Sequence, residues 1–161
     1  MWNESFFSAP QLKRDSLGGA IRMNHHYIDD LLRLCPGAEP AWQQHLACWG
    51  GEERGTYNDL TVFAHHLVDT AAKGDFGPAD RVFGFVESAL ESRNEEVEGL
   101  LVWGLLEDVQ TISSHTPGLQ HSLAHRLGQK SLDAWRTIAD AWKGNRSLAD
   151  VLRADARKKP S

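Results

Sequence analysis

Histidine is the residue type in this sequence that most readily suggests a reactive centre, because eight histidines occur among 161 residues. His65 and Asp69 are four residues apart, as are His121 and His125, so each pair would share one face of a helix. Imidazole and carboxylate groups at that spacing can supply two ligands to zinc or another divalent ion. The sequence contains neither HExxH nor the Glu-x-x-His pairs of di-iron bundles. We therefore expect solvated or core-edge histidines, with no metal and no cofactor.

Two glutamates raise the possibility of acid–base chemistry. Glu87 and Glu107 each stand beside apolar positions, so either carboxyl group is expected to be partly buried. Burial raises the pKa of an unpaired carboxyl group, which is one mark of a catalytic acid. The alternative is structural, a carboxylate that accepts hydrogen bonds from a loop or from the N-terminus of a helix. We favour the structural interpretation.

Nucleophilic and nucleotide chemistry have little support. The sequence has no G-x-S-x-G motif, no P-loop and no dinucleotide-binding fingerprint. Its two cysteines, Cys35 and Cys48, lack a nearby cationic cluster and do not make a disulfide framework, so we expect reduced thiols packed as small apolar groups. We predict that the protein is not an enzyme. The alternative is a small metal-dependent hydrolase or a modification-reversing enzyme that uses histidine and carboxylate residues.

Charge is unevenly distributed along the chain, whose formal net charge is −5. Residues 75–108, the acidic belt, hold nine acidic and two basic residues, a net of −7, whereas residues 109–161 carry a net of +5. Such a belt repels phosphate backbones and attracts a basic protein. A weak nucleic-acid role for the basic end remains the lesser alternative. The residues predicted to bind a partner fall around two helix junctions: Asp75, Asp80, Glu91, Glu95, Glu96 and Glu98.

Apolar residues recur at helical spacing along most of the chain, and alternating strand patterns are almost absent. The clearest stripe is Leu60, Phe63, Ala64, Leu67, Val68 and Ala71. The run Leu100–Leu106 is apolar on most sides, which is typical of a helix surrounded by others. The sequence therefore predicts an all-α fold, a compact bundle or short irregular solenoid of seven to eight helices around a central apolar helix at about 95–113.

Residues with capping preferences predict where several helices begin. We expect N-caps at Thr56, Asn94, Ser131 and Ser147, and a helix that starts at Thr116-Pro117 and ends at Gly128. Gly74 suits the left-handed position after a helix. The tryptophans at 103, 135 and 142 have core spacing. Those at 42 and 49 share a helical face, where core packing is favoured over a binding anchor.

The length fits one domain, which we place at residues 22–156, after a loosely ordered extension at 1–21 and before a frayed basic tail at 157–161. No apolar run approaches the roughly 18 residues needed to cross a bilayer. The N-terminus does not resemble a secretory signal. We therefore expect a cytoplasmic protein without a membrane partner.

Five short motifs lie between residues 63 and 135: FAHHLV at 63–68, GD at 74–75, VFGFVE at 82–87, GLLEDVQ at 104–110 and LGQKSLDAW at 127–135. Together they resemble those of small bacterial helical proteins of largely uncharacterised function, some of which are associated with polymorphic-toxin immunity. The likeness covers about residues 22–143, although proline often stands in that family where this chain has Gln129. It offers no catalytic residues to transfer, and the recurrent Glu87, Glu107 and Asp108 are consistent with holding helices together.

The resemblance implies an antidote, a protein that binds one cognate toxin and blocks its active site or substrate channel. Many such toxins act on nucleic acids through basic clefts, for which the acidic belt would be a suitable decoy. The expected function is therefore stoichiometric binding and neutralisation of a bacterial toxin with a basic active-site surface, and nucleic acid is not expected as a partner.

Overall fold

The computed structural model describes residues 27–50 and 55–143. Regular structure within these ranges is helical and includes no strand, which confirms the predicted all-α class. None of the described helices is long and apolar enough to cross a membrane. The elements are α1 at 27–34, a 3-10 turn at Pro36–Ala38, α2 at Glu39–Trp49, α3 at Thr56–Ala72, α4 at Gly77–Glu91, α5 at Glu95–Leu100, a π-helical segment at Leu101–Leu106, α6 at Glu107–Ser113, α7 at Leu119–Ala124 and α8 at Gln129–Trp142.

One continuous rod at 95–113 occupies the middle of the fold and is called the central helix here. It consists of α5, the π-helical segment and α6. Leu101, Leu105 and Leu106 in its apolar middle are fully buried. Helix α3 packs along the π-helical segment and α6, α8 contacts both as well, and α4 packs against α3, α5 and α8. The predicted central position of this helix is thus confirmed.

The π-helical segment was not predicted from the sequence. The backbone N–H of Glu107 donates to the carbonyl oxygen of Val102, five residues earlier, so one turn is wider than an α-helical turn. Gly104 lies in this wide turn, where a Cβ would stand 2.7 Å from Leu60 Cδ1 and 3.0 Å from Tyr57 Cδ1. The missing side chain therefore lets α3 approach the central helix closely.

Two of the predicted helix ends are confirmed. The Asn94 side-chain oxygen accepts a hydrogen bond of 3.2 Å from the Val97 N–H and so caps α5. Gly74 follows α3 with φ of +89°, in the left-handed region that favours glycine. A capping residue therefore indicates a helix end correctly when the side chain that hydrogen-bonds to that end is close to it in sequence.

Three other predicted boundaries were wrong. Thr56 is the first residue of α3 after a cap position at Gly55, and Ser131 is the third residue of α8 after Gly128. Residues 116–117 lie in a turn, and α7 runs only over Leu119–Ala124. At α8 the reason is tertiary, because a glutamate from another helix satisfies the helix end. Ser147 and the segments at 1–21 and 157–161 lie outside the described residues.

The five tryptophans of the described residues occupy different environments. Trp42 and Trp135 are buried, and Trp103 is partly buried against the core. Trp49 is half-buried. Trp142 is 66% exposed, so its predicted core position was wrong. Trp142 is the last residue of α8. The spacing of apolar residues along a helix does not show where that helix extends beyond the hydrophobic core.

Replacement of Gly104 by alanine tests the close approach of α3. The new Cβ would displace Leu60 and Tyr57, so G104A should lower the free energy of unfolding by about 1–3 kcal/mol. Chemical denaturation followed by circular dichroism measures this change. Gly84 in α4 is the matched control, because a Cβ there meets nothing within 4 Å in the described part of the chain. G84A should stabilise the protein by about 0.5–1 kcal/mol through helix propensity. Equal effects of the two substitutions would contradict the packing assigned to Gly104.

Candidate protein-interaction surface

Two of the six predicted partner-binding carboxylates, Asp75 and Asp80, help to form the N-terminal end of α4. Asp80 accepts hydrogen bonds of 2.6 and 2.8 Å from Arg126, whose guanidinium lies 4.0 Å from the centre of the Phe76 ring. Asp75 accepts a hydrogen bond of 3.0 Å from the Gly77 N–H. Both side chains therefore have structural partners that hold α4 in place.

The other four predicted carboxylates meet where α4 ends and α5 begins, and are called the acidic junction here: Glu91, Glu95, Glu96 and Glu98. Asp80 and Glu91 are eleven positions apart along α4, which corresponds to a rise of about 16 Å. The structure therefore brings four of the six residues together and leaves two at the far end of α4.

The acidic junction is open to solvent and negatively charged. Glu91, Glu95 and Glu96 are exposed and Glu98 is half-buried. No lysine or arginine among the described residues pairs with Glu91, Glu96 or Glu98. Burial, followed by the charges of Asp30 and Glu96, raises the pKa of the neighbouring Tyr27 to about 12. The glutamates in the first turn of α5 also stabilise that helix through its dipole, so this surface has a structural role as well.

Glu87 fastens α4 to the start of α8. Its carboxylate accepts hydrogen bonds from the backbone N–H groups of Lys130 and Ser131, at 2.9 and 2.8 Å, and from the Ser131 hydroxyl at 2.5 Å. A Cβ on Gly128 would stand 2.4 Å from the carboxyl carbon. Burial alone would raise the pKa of Glu87, but the hydrogen bonds from Ser131 and Lys130 and the charge of Lys130 hold it below its usual range. These contacts give Glu87 the structural role of an ionised cap.

Glu107 and Asp108 form a second carboxylate pair, on the central helix. Asp108 accepts a hydrogen bond of 2.5 Å from the Thr61 hydroxyl. Burial and the adjacent Asp108 charge raise the pKa of Glu107, and a hydrogen bond from the Trp142 side chain opposes that shift. Neither carboxylate pairs with a lysine or arginine among the described residues.

A histidine–carboxylate contact escaped the sequence analysis. His45 Nε2 lies 2.7 Å from Asp59 Oδ1, and both side chains are largely buried between α2 and α3. The His45 ring also packs on Trp42 and Trp49, with ring centres 5.5 and 6.2 Å apart. The two residues are fourteen apart on different helices, so no local spacing could have identified the pair. It joins α2 to α3.

Comparison with known protein families adds one assignment to this geometry. The DUF7674 domain, a domain of unknown function, matches residues 28–143. The chain belongs to the DUF7674 family. The matched residues include every motif on which the resemblance to small helical proteins of uncharacterised function rested. They also include the acidic junction and the pair Glu107 and Asp108.

This DUF7674 chain also shows sequence similarity to curated proteins called DNA repair protein RecO. The protein called DNA repair protein RecO in Xanthomonas oryzae pv. oryzae (strain PXO99A) is 29% identical over 167 residues. Its counterpart in Xanthomonas euvesicatoria pv. vesicatoria (strain 85-10) is 26% identical over the same length. Each alignment covers 85% of this chain and 67% of the relative. No solved structure matches the chain significantly.

The two pairs that the sequence suggested as metal ligands, His65 with Asp69 and His121 with His125, differ from each other in this DUF7674 protein. His121 Nε2 and His125 Nε2 are 2.9 Å apart on the surface, a hydrogen bond that requires one ring to donate. His65 and Asp69 are both exposed. No group of three or more histidine, cysteine, aspartate or glutamate side chains in the described ranges could hold a metal ion.

The two cysteines are free thiols in different surroundings. Cys35 is buried, as expected, and burial raises the pKa of its thiol to about 11, which suppresses the reactive thiolate. Cys48 is exposed, so its predicted packing as a small apolar group was wrong.

Substitution of Glu87 tests the ionised cap of α8. We expect E87Q to lower the free energy of unfolding by about 1–2 kcal/mol at neutral pH, because an amide cannot accept all three hydrogen bonds. Since the pKa of Glu87 is lower in the folded protein than in the unfolded chain, its contribution is present above the ordinary carboxyl pKa. That contribution is lost as the pH falls through the folded-state pKa. Urea denaturation between pH 3 and 7 should show the cost of E87Q shrinking in acid.

Glu91 provides the control, because it lies one turn further along α4 and is exposed. E91Q should leave stability nearly unchanged across the same pH range. A pH-independent cost of E87Q would show that the carboxylate charge does not stabilise the cap.

Proposed function

We propose that this DUF7674 protein is an immunity protein, a stoichiometric inhibitor that binds a cognate bacterial toxin in the cytoplasm and covers its basic active-site surface. The observation that supports this most directly is the acidic junction. Three exposed glutamates and a half-buried one stand together at the end of α4, and three of the four lack a cationic partner among the described residues.

A basic protein surface matches the charge of this region. Exposed carboxylates that the protein itself does not neutralise accelerate the approach of a positively charged partner and select against negatively charged ones. The same surface repels a phosphate backbone. The DNA repair role in the relatives' name therefore finds no electrostatic support in the acidic belt of this chain.

The scaffold also suits inhibition by binding. The acidic junction joins α4 to the central helix, and both helices contribute to one buried core. Asn94 fixes the start of α5, so the glutamates project from a defined helix end. A surface held in place before binding loses less conformational entropy when the partner arrives, which favours tight association.

Charge reversal at the acidic junction tests the proposal. We expect the E91K/E95K/E96K variant to bind its cognate toxin domain at least about tenfold more weakly, because complementary charges become repulsive. Isothermal titration calorimetry at two salt concentrations gives the affinity and its salt dependence, and growth of toxin-expressing cells gives protection. Circular dichroism verifies folding, since the glutamates also stabilise α5.

The matched control is D69K/D133K/D140K, which makes the same change in net charge at exposed positions outside the junction. It should retain most of the affinity. If both variants bind equally well, the acidic junction takes no part in recognition.

The ratio of inhibitor to toxin separates binding from catalysis. A stoichiometric inhibitor should abolish toxin activity at one protein per toxin and leave about half of that activity at a half equivalent, whatever the incubation time. Titration of the purified components measures the endpoint. Progressive loss of toxin activity at a tenth of an equivalent would indicate the alternative, an enzyme that removes or reverses the toxin or its product.

A further inference from the structure

We infer that a second surface, formed by Tyr57, Trp142 and the carboxylates of Glu107 and Asp108, is the docking site for an arginine-bearing segment of a protein partner. The inference rests on the proposed function, because it assigns the part of the protein that anchors the toxin. These four residues are called the aromatic–acidic surface here.

Contacts with α3 define one side of this surface. Tyr57 packs beside Gly104, and four residues later along both helices the Thr61 hydroxyl donates to Asp108. Helix α3 and the central helix therefore run in the same direction here. Tyr57, at the start of α3, stands beside the π-helical segment.

Contacts with α8 define the opposite side. The Gln110 side-chain amide donates to the carbonyl oxygen of Trp135, whereas Trp142, two turns later in α8, donates to Glu107, which precedes Gln110. Helix α8 therefore runs against the direction of the central helix. Its last residue, Trp142, ends beside the stretch that carries Glu107 and Asp108, and so does Tyr57 from the other side.

The two flanking rings are the exposed large hydrophobic side chains of the described residues. Tyr57 is 52% exposed and Trp142 is 66% exposed. Tyrosine and tryptophan are enriched among the residues that dominate binding energy in protein interfaces, because each buries a large area with few rotatable bonds. Their convergence on one stretch of one helix points to a contact surface for a protein.

The carboxylates between the rings determine the charge of the occupant. Glu107 and Asp108 are adjacent acids, and each is contacted by an uncharged donor, Trp142 or Thr61. The raised pKa of Glu107 reflects burial and the repulsion from Asp108. A cation would relieve that repulsion. A guanidinium suits this place better than an ammonium, since it can form paired hydrogen bonds to carboxylates and stack on aromatic faces.

The π-helical segment supplies a local reason for the geometry. Such wide turns occur frequently at functional sites, and here the wide turn ends at Glu107. Gly104 within it lets Tyr57 lie against the helix backbone.

A defined peptide pair tests the surface without the toxin. The probe is an acetylated, amidated peptide with two arginines separated by glycine, and its control replaces both arginines by citrulline, which keeps the shape and removes the charge. In the nitrogen-15-labelled protein, the arginine peptide should produce a saturable shift of the Trp142 indole N–H resonance. The citrulline peptide should produce none.

Substitutions then assign the binding to the named residues. E107Q/D108N should weaken peptide binding by at least about fivefold, and so should W142F/Y57A, for which the backbone amide resonances replace the missing Trp142 indole signal. E91Q/E96Q at the acidic junction should leave peptide binding unchanged. Folding is verified from the amide spectrum, and E107Q alone serves if the double variant is unstable. Absence of a saturable shift, or a shift that survives E107Q and E107Q/D108N, overturns the inference.

The same variants are then titrated into the cognate toxin domain of the proposed function. Weaker toxin binding by W142F/Y57A and by E107Q/D108N supports the aromatic–acidic surface as the anchor. Peptide binding without toxin binding retains the surface and rejects the immunity function. Full toxin neutralisation by both variants, with no peptide binding by the unmodified protein, retains the immunity function and rejects the surface.

Discussion

Leu101, Leu105 and Leu106 are removed from water on several sides of a single helix, and this burial obliges other helices to surround it. Each buried leucine contributes about 1.5–3 kcal/mol relative to exposure, so the surrounding helices cannot leave the central helix without a large cost. Helices α3, α4 and α8 each pack against some part of it. The positions of both acidic surfaces follow from that arrangement, because one lies at the start of the central helix and the other at its half-buried residues Glu107 and Asp108.

The features that the sequence predicts correctly depend on local periodicity. The stripe from Leu60 to Ala71 is buried in the structure, and Asn94 caps α5 three residues before the amide that it accepts from. The apolar run at 100–106 required an interior position. In each case the determining neighbours are only a few residues away.

The features that the sequence missed depend on contacts between distant segments. Ser131 has the composition of an N-cap, but Glu87, forty-four residues earlier, supplies the carboxylate that satisfies the start of α8. His45 and Asp59 meet across two helices, and the wide turn before Glu107 shifts the faces that a regular helix would present. Trp142 has core spacing on its own helix, but no core lies opposite it.

Composition likewise gives the total charge of a segment, but it does not show which carboxylates are already bound by other groups of the same protein. Of the acidic residues in the belt, Asp80 and Glu87 are bound by Arg126 and by the start of α8. What a partner would meet is therefore a subset, divided between the acidic junction and the pair at Glu107 and Asp108. The acidic residues of one stretch of sequence, whose net charge is −7, therefore form two separate surfaces on the folded protein.

The anchoring of α8 has a consequence for its far end. Glu87 holds the first turn of that helix, and Trp142 is its last residue, about 20 Å away along a rigid rod. A small rotation about the first turn of α8 would therefore displace Trp142 more than it displaces the residues that Glu87 binds. Together with the packing of α8 on α4 and on the central helix, the carboxylate of Glu87 therefore helps to fix the position of the Trp142 indole, although the two side chains do not touch.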